Sequence, residues 1–373
     1  MAQTNLSHEF RMAALAGRLP AGLLNMHSSN PAPLSFKALA QLLDFDAAEF
    51  FSQLSFEYAE VAGSQKLRTL IAEHHYQSAT ANDILTTCGA QEALFIVMNA
   101  LLSAGDEVLC FSPIFEPLYQ EAAATGAQVT AMPLLADDGW GIDWPLLERT
   151  IGPQTRMLII NFPHNPTGSQ LTKTDFQQLL DLCARYDCWL ISDEVFRGLE
   201  HQPEQRLPAA VDCYEKAISI AVMSKAYGLP AIRLGWIACR QPEIIKKFTI
   251  SKRHLSICGS ALDEAFAARV IPHSEFIFQH HTTTIRENLS KLKQLLTAQG
   301  RISCHFPTAG ATCFPLLADI NSDENADEFI HRMAIKEGLM LMPGSCFLSE
   351  QPGFRLTLGD DKAASHFDTL FKS

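Results

Sequence analysis

The sequence predicts an α/β protein: a large domain on a seven-stranded, mostly parallel sheet between helical layers, then a smaller α+β domain. Three observations predict it. Short apolar runs alternate with longer helix-like stretches from Ile84 to Cys239. These runs are apolar throughout rather than at every second residue, the pattern of strands buried on both faces. Beyond about residue 245 the alternation gives way to long helical stretches.

Taken in order, residues 1–35 read as a loop-like segment, with SSNPAP at 28–33, expected to return to the small domain or to reach a partner subunit. The large domain is assigned to 36–245. Its strands are expected at ILTTC (84–88), EVLCF (107–111), VTAM (129–132), RMLIIN (156–161), CWLIS (188–192), AISIAV (217–222) and LGWIAC (234–239). Stretches between them, such as 91–103 and 174–186, are long enough to cross the sheet as helices. The small domain, 246–373, shows helical patterns at 274–299 and 325–337 and a strand at FRLTL, 354–358.

The chain has 373 residues, 47% hydrophobic and 19% charged, the composition of an ordinary globular protein of two domains. A formal net charge of -12 argues against nucleic-acid or anionic-membrane partners, which want clustered Lys and Arg, and favours small molecules. Ten cysteines are scattered without a CxxC pair or zinc-type spacing, so they read as reduced thiols, several of them buried, and no metal site is expected. No apolar run reaches 18 residues and the first twenty residues lack an export-type core, so a cytoplasmic location is expected.

The chemistry is concentrated where strands end. NFPHNPTG, 161–168, follows a strand and closes in a Pro-Thr-Gly turn. Asp193 stands 28 residues beyond Asn165 at the end of the next strand, and Lys225 32 residues beyond Asp193 after a third. Three polar groups therefore share the carboxyl edge of the sheet, where α/β proteins bind ligands. Pyridoxal 5'-phosphate (PLP) chemistry needs such a set: an amine for a Schiff base, a carboxylate for the pyridine nitrogen and a donor to the ring oxygen. Lys225, Asp193 and Asn165 would supply them.

NFPHNPTG, SDEV, SKAYGLPAIRLGW and FRLTLG together resemble the blocks of the class I/II aminotransferases, PLP enzymes of fold type I related to aspartate aminotransferase. The resemblance covers nearly the whole chain and implies a homodimer with shared active sites. It implies that Lys225 carries the cofactor and moves the α-proton, with Asp193 and Asn165 on the ring. Arg233, eight residues after Lys225, and Ser224 would hold the phosphate together with the loop at Gly89, Ala90 and Gln91, a helix N-terminus. Phe115 would stack on the pyridine, Tyr58 would reach the phosphate in the neighbouring subunit, and Arg355 would bind the substrate α-carboxylate. Ser112-Pro113 and Asn165-Pro166 are expected to be cis.

Taken singly, Asp193 reads more readily as a helix cap, Arg233 and Arg355 as surface charges and Phe115 as core; their joint spacing reverses that and favours the site. Tyr58 and Gln91 keep both readings, and His27 and His164 are left without a role. Lys252, Arg253 and His254 in SKRHLS would suit a second carboxylate, but a charge run is usually a solvated face.

One position departs from the family pattern. Three residues after Asp193 most members carry a Tyr that donates to the ring oxygen; here stands Phe196. The implied reaction is transfer of the α-amino group of an amino acid to a 2-oxo acid. The same residues also serve PLP-dependent lyases, cyclases and oxidases, which remain the alternative.

Overall fold

A computed structural model describes residues 11–297, 302–317 and 325–372. Every strand expected in the large domain forms. They are β1 (Ile84–Thr87), β2 (Glu107–Ser112), β3 (Gln128–Leu135), β5 (Thr155–Asn161), β6 (Trp189–Asp193), β7 (Ala217–Val222) and β8 (Gly235–Ala238). The sheet has eight strands rather than seven, because the two-residue β4 (Gly141–Ile142) pairs antiparallel with the end of β3. Two residues are too few to produce a sequence period.

The strand order is β1-β8-β7-β6-β5-β2-β3-β4. Neighbours from β7 through β3 run parallel, whereas β8 is antiparallel to both β1 and β7. Alternate residues of the central strands enter different cores, whereas β3, near the sheet edge, exposes Gln128, Thr130, Pro133 and Leu135 and is buried on one face only. Leu109, Phe111, Leu158 and Ile160 pack in one cluster with α3 (Lys173–Tyr186). Val108, Cys110, Met157 and Ile159 pack in another with α1 (Gly89–Leu101) and α2 (Glu116–Ala124). Burial of both faces is the physical reason the strand sequences are apolar without alternation.

The later chain contains the 24-residue α4 (Ser274–Thr297), α5 (Ala326–Glu337) and a three-stranded sheet in which β9 (Phe354–Thr357) lies between Thr312–Cys313 and Met342–Pro343. Residues 298–299 of the expected helix lie outside the described residues. The first 35 residues are not all loop: Arg11–Ala16 is a helix, and Leu24–Asn25 pairs parallel with Leu339–Met340.

The charge run SKRHLS is not a wholly solvated face either. Lys252 is fully buried and donates to Thr86 Oγ1 at 3.1 Å, and that hydroxyl in turn donates to Glu264 Oε1 at 3.2 Å. Thr86 lies 166 positions away in sequence, which hides the burial from any local pattern. Among the described residues, no helix is long and apolar enough to cross a membrane.

Candidate active site

The spacing of Lys225 and Arg233 is the signature of a hairpin. β7 and β8 are antiparallel, Val222 faces Gly235, and Met223 N–H donates to Leu234 O at 2.9 Å. Both ends of the intervening loop therefore return to one sheet edge, bringing Ser224 and Arg233 together at 3.1 Å. Asp193 is the last residue of the neighbouring β6, in register with Asn161 at the end of β5. Asn161 donates to the Asp193 carbonyl at 2.9 Å and accepts from Asn165 N–H at 3.0 Å, fixing the turn that carries Asn165.

The electrostatics at this edge are unusual for a folded chain. Burial pushes the Asp193 carboxyl up to about 7, against the opposing pull of the Val195 N–H, which donates to it at 3.2 Å, and of the Lys225 charge. Burial also pulls Lys225 down to about 7, and the cations Arg355 and Arg233 act in the same direction while Asp193 opposes them. An amine with that value is partly neutral near pH 7 and can act as nucleophile or base. Its Nζ lies 5.8 Å from the centre of the Phe196 ring.

Arg355 sits on β9 and is buried, with its guanidinium 5.0 Å from the centre of the Phe347 ring. It donates to Asn165 Oδ1 at 3.0 Å and to the His27 carbonyl at 2.7 Å. A further contact joins its NH2 to His27 Nδ1 at 3.3 Å. Arginine has no acceptor, so Nδ1 accepts and a neutral His27 carries its proton on Nε2. Burial, reinforced by Arg355, lowers His27 to about 4, which keeps the ring neutral. Burial lowers Arg355 itself to about 10, and among the described residues no carboxylate is paired with it. A buried planar cation without an anionic partner is built for an incoming carboxylate.

A second anion cradle lies at the start of α1. That helix has no side-chain cap, so the N–H groups of its first turn lack a side-chain acceptor. Gly89 adopts φ +76, and a Cβ there would stand 2.6 Å from Arg233 NH2. A Cβ on Gly235 would lie 2.8 Å from the Gly89 carbonyl carbon and 3.0 Å from Ala90 N. Glycines thus let a guanidinium, a hydroxyl and a helix N-terminus meet, a donor set that suits a phosphate.

The remaining expected residues are less concentrated. Phe115 is half-buried at the N-terminus of α2 and lines a small cavity with Asn161 and His164. The Gln91 side chain turns away to Glu121 Oε1 at 2.6 Å, leaving only its backbone at the cradle. Tyr58 is 86% exposed and is not brought to the site of its own chain. Ser112-Pro113 and Asn165-Pro166 are cis as expected, and so is Phe162-Pro163. Sequence reasoning missed the Arg355 contact of His27, and also Ser29 and Asn30, which accept from Lys225 Nζ at 2.8 and 2.7 Å. Their only signal was polar side chains in the loop SSNPAP.

The fold and the paired anion sites define a PLP-dependent enzyme of fold type I. The sequence model described as Aminotransferase class I and II matches residues 28–367, and the chain belongs to that family, whose members use PLP. It is an enzyme of this class. It is 29% identical over 296 residues to capreomycidine synthase of Streptomyces vinaceus, spanning 79% of this chain and 75% of that protein. It is also 29% identical over 309 residues to a probable N-succinyldiaminopimelate aminotransferase of Mycobacterium tuberculosis, spanning 80% and 76%. A PLP-dependent aminotransferase from Streptococcus suis shares the fold with a TM-score of 0.91 at 24% identity, over 98% of this chain and 97% of that one. The PLP-dependent cyclase OrfR does so at 0.87 and 23%, over 97% and 96%.

Proposed function

We propose that the chain moves the α-amino group of an amino acid to a 2-oxo acid. The observation that carries this reading is the convergence of Lys225, Asp193 and the Asn165–Arg355 pair at one sheet edge. When bound, PLP supplies an electron sink for the pair of electrons left on the substrate carbon. Lys225 would hold the cofactor covalently and later move the α-proton, which its lowered proton affinity favours. Asp193 would accept a hydrogen bond from the pyridine nitrogen and hold its proton there. Asn165 would donate to the ring oxygen, and Phe115 and Phe196 would flank the ring and exclude water. Ser224, Arg233 and the backbone of Gly89, Ala90 and Gln91 would bind the phosphate. Arg355 would orient the substrate by its α-carboxylate.

Two features favour the alternative of a PLP-dependent lyase, cyclase or oxidase. One is Phe196 where the family usually carries Tyr; the other is the likeness to capreomycidine synthase. The experiment that separates the readings is the absorbance spectrum of the purified protein with a panel of amino acids, with Lys225→Ala as control. Transfer predicts a Lys225-dependent visible band that an amino acid bleaches durably and a 2-oxo acid restores. Recovery without added oxo acid indicates elimination, cyclisation or oxidation.

The reading extends to assembly and organisation. A homodimer with shared sites is supported by the exposure of Phe56 and Tyr58, 93% and 86%, on a segment of the single chain. The division into an N-terminal segment 1–35, a large domain 36–245 and a small domain 246–373 belongs to the same proposal. So does a cytoplasmic location, in keeping with ten free thiols.

A further inference from the structure

Residues 24–32 form a strap tied repeatedly to the C-terminal part of the chain. Leu24 and Met26 donate to Gly338 O and Met340 O at 2.8 and 3.0 Å; Met26 O accepts from Thr357 N–H at 2.8 Å; and Ala32 donates to Gly359 O at 2.8 Å. Between these ties, Ser29 and Asn30 reach the Lys225 amine from residues 196 and 195 positions away. The Ser29 hydroxyl is buried and makes no other hydrogen bond among the described residues. His27, on the same strap, holds Arg355 through its carbonyl and its ring.

The two contacts have a chemical consequence. A neutral lysine amine has two N–H donors and one lone pair. With both hydrogens held by Ser29 Oγ and Asn30 Oδ1, the lone pair is left over in the remaining tetrahedral direction. A proton leaving a substrate carbon forms a third N–H bond there, while the electrons of its C–H bond stay on the carbon, and the proton departs again when Lys225 delivers it.

We propose that Ser29 and Asn30 are positioning residues that hold the free Lys225 amine and aim its lone pair, and that the strap ties this aim to Arg355 through His27. The inference rests on the reading of Lys225 given above. The charged and titratable groups facing the amine are Asp193 on β6, Arg355 on β9 and Arg233 in the loop before β8, so the two strap acceptors add to a field already in place.

The test has an arm that needs no turnover. In the full chain freed of cofactor, acetylation of Lys225 by acetic anhydride is followed against pH by mass spectrometry of the lysine's peptide. Asn30→Asp should raise the midpoint by about one pH unit or more, because a carboxylate favours the ammonium form. Ser29→Ala should lower it, and Ser29→Thr, which keeps the hydroxyl, should stay near the unaltered chain. In the PLP-loaded enzyme, Ser29→Ala should slow kcat on the order of tenfold, enlarge the isotope effect of an α-deuterated substrate and leave KM nearly unchanged. Unmoved midpoints in both Asn30→Asp and Ser29→Ala, or unchanged kcat and isotope effect, overturn the proposal. Midpoints that move as expected while amino acids undergo some reaction other than transfer uphold the positioning role and count against the proposed reaction alone.

Discussion

Phe196 buries its ring beside the Lys225 amine and brings no hydroxyl to the site. If the ring oxygen of the bound cofactor lacks that donor, the neighbouring proton is held more tightly. Phe196→Tyr should therefore lower, by about one unit, the pH midpoint at which the bound cofactor's visible absorbance changes; an unchanged midpoint would mean another donor serves instead. Asp193 gives a second prediction at this scale. Its pKa lies near 7 in the folded chain against an ordinary 3.8, so its contribution to stability is fully present below about 3.8 and is lost as pH rises through 7. At pH 8 the buried carboxylate destabilises the cofactor-free chain. Asp193→Asn should raise the melting temperature there by roughly a few degrees and change it little at pH 4. Calorimetry across that range checks both the sign and the window. Of the candidate site, Asp193, Asn165 and Lys225 were legible in the sequence because each falls at or just beyond a strand end, and Arg233 through the family resemblance. His27 was not assigned, because what gives it a role is Arg355, 328 residues away.

At the scale of elements, the junction of β1, α1 and the β7–β8 hairpin depends on the absence of two side chains. A methyl at position 89 would need both a strained left-handed backbone and displacement of Arg233. Gly89→Ala should weaken PLP binding roughly tenfold or more, consistent with the loss of one charge-assisted contact. Titration of the apoprotein with the cofactor, followed by absorbance, reads this directly. The central strands were legible because both faces of each are covered, which writes burial into consecutive residues, while β3 is covered on one face and alternates. β4 was not, since its two residues pair only because β3 already presents a free edge. The helix Arg11–Ala16 was hidden for a related reason: Met12 and Leu15 pack against the core that contains Phe314 and Phe347, from the far end of the sequence.

At the scale of the whole molecule, the proposed sharing of sites makes a prediction that no single-chain variant can mimic. Lys225→Ala and Tyr58→Ala should each be poorly active alone. Refolded together, they form mixed dimers in which one of the two sites has both residues intact. Random pairing then restores about a quarter of the normal site complement. No recovery in a mixture that sedimentation shows to be dimeric would place Tyr58 outside the partner's site. The burial of Lys252 against Thr86 and Glu264 belongs to this scale too. A lysine in a charge run reads as solvated until the chain folds back on it, and only the assembled tertiary structure supplies the hydroxyl it meets.

The short parallel pairing of Leu24–Asn25 with Leu339–Met340 also bears on how the protein can be handled and how it can fail. A nick between Met26 and Ser29 would leave the eight-stranded sheet untouched, and spectroscopic measures of folding would look normal. The two acceptors of the lysine amine would nevertheless be cut loose from their anchor. Damage to a surface-lying chain segment would then be read out as a chemical defect at the centre of the molecule, in a protein that passes every ordinary test of integrity.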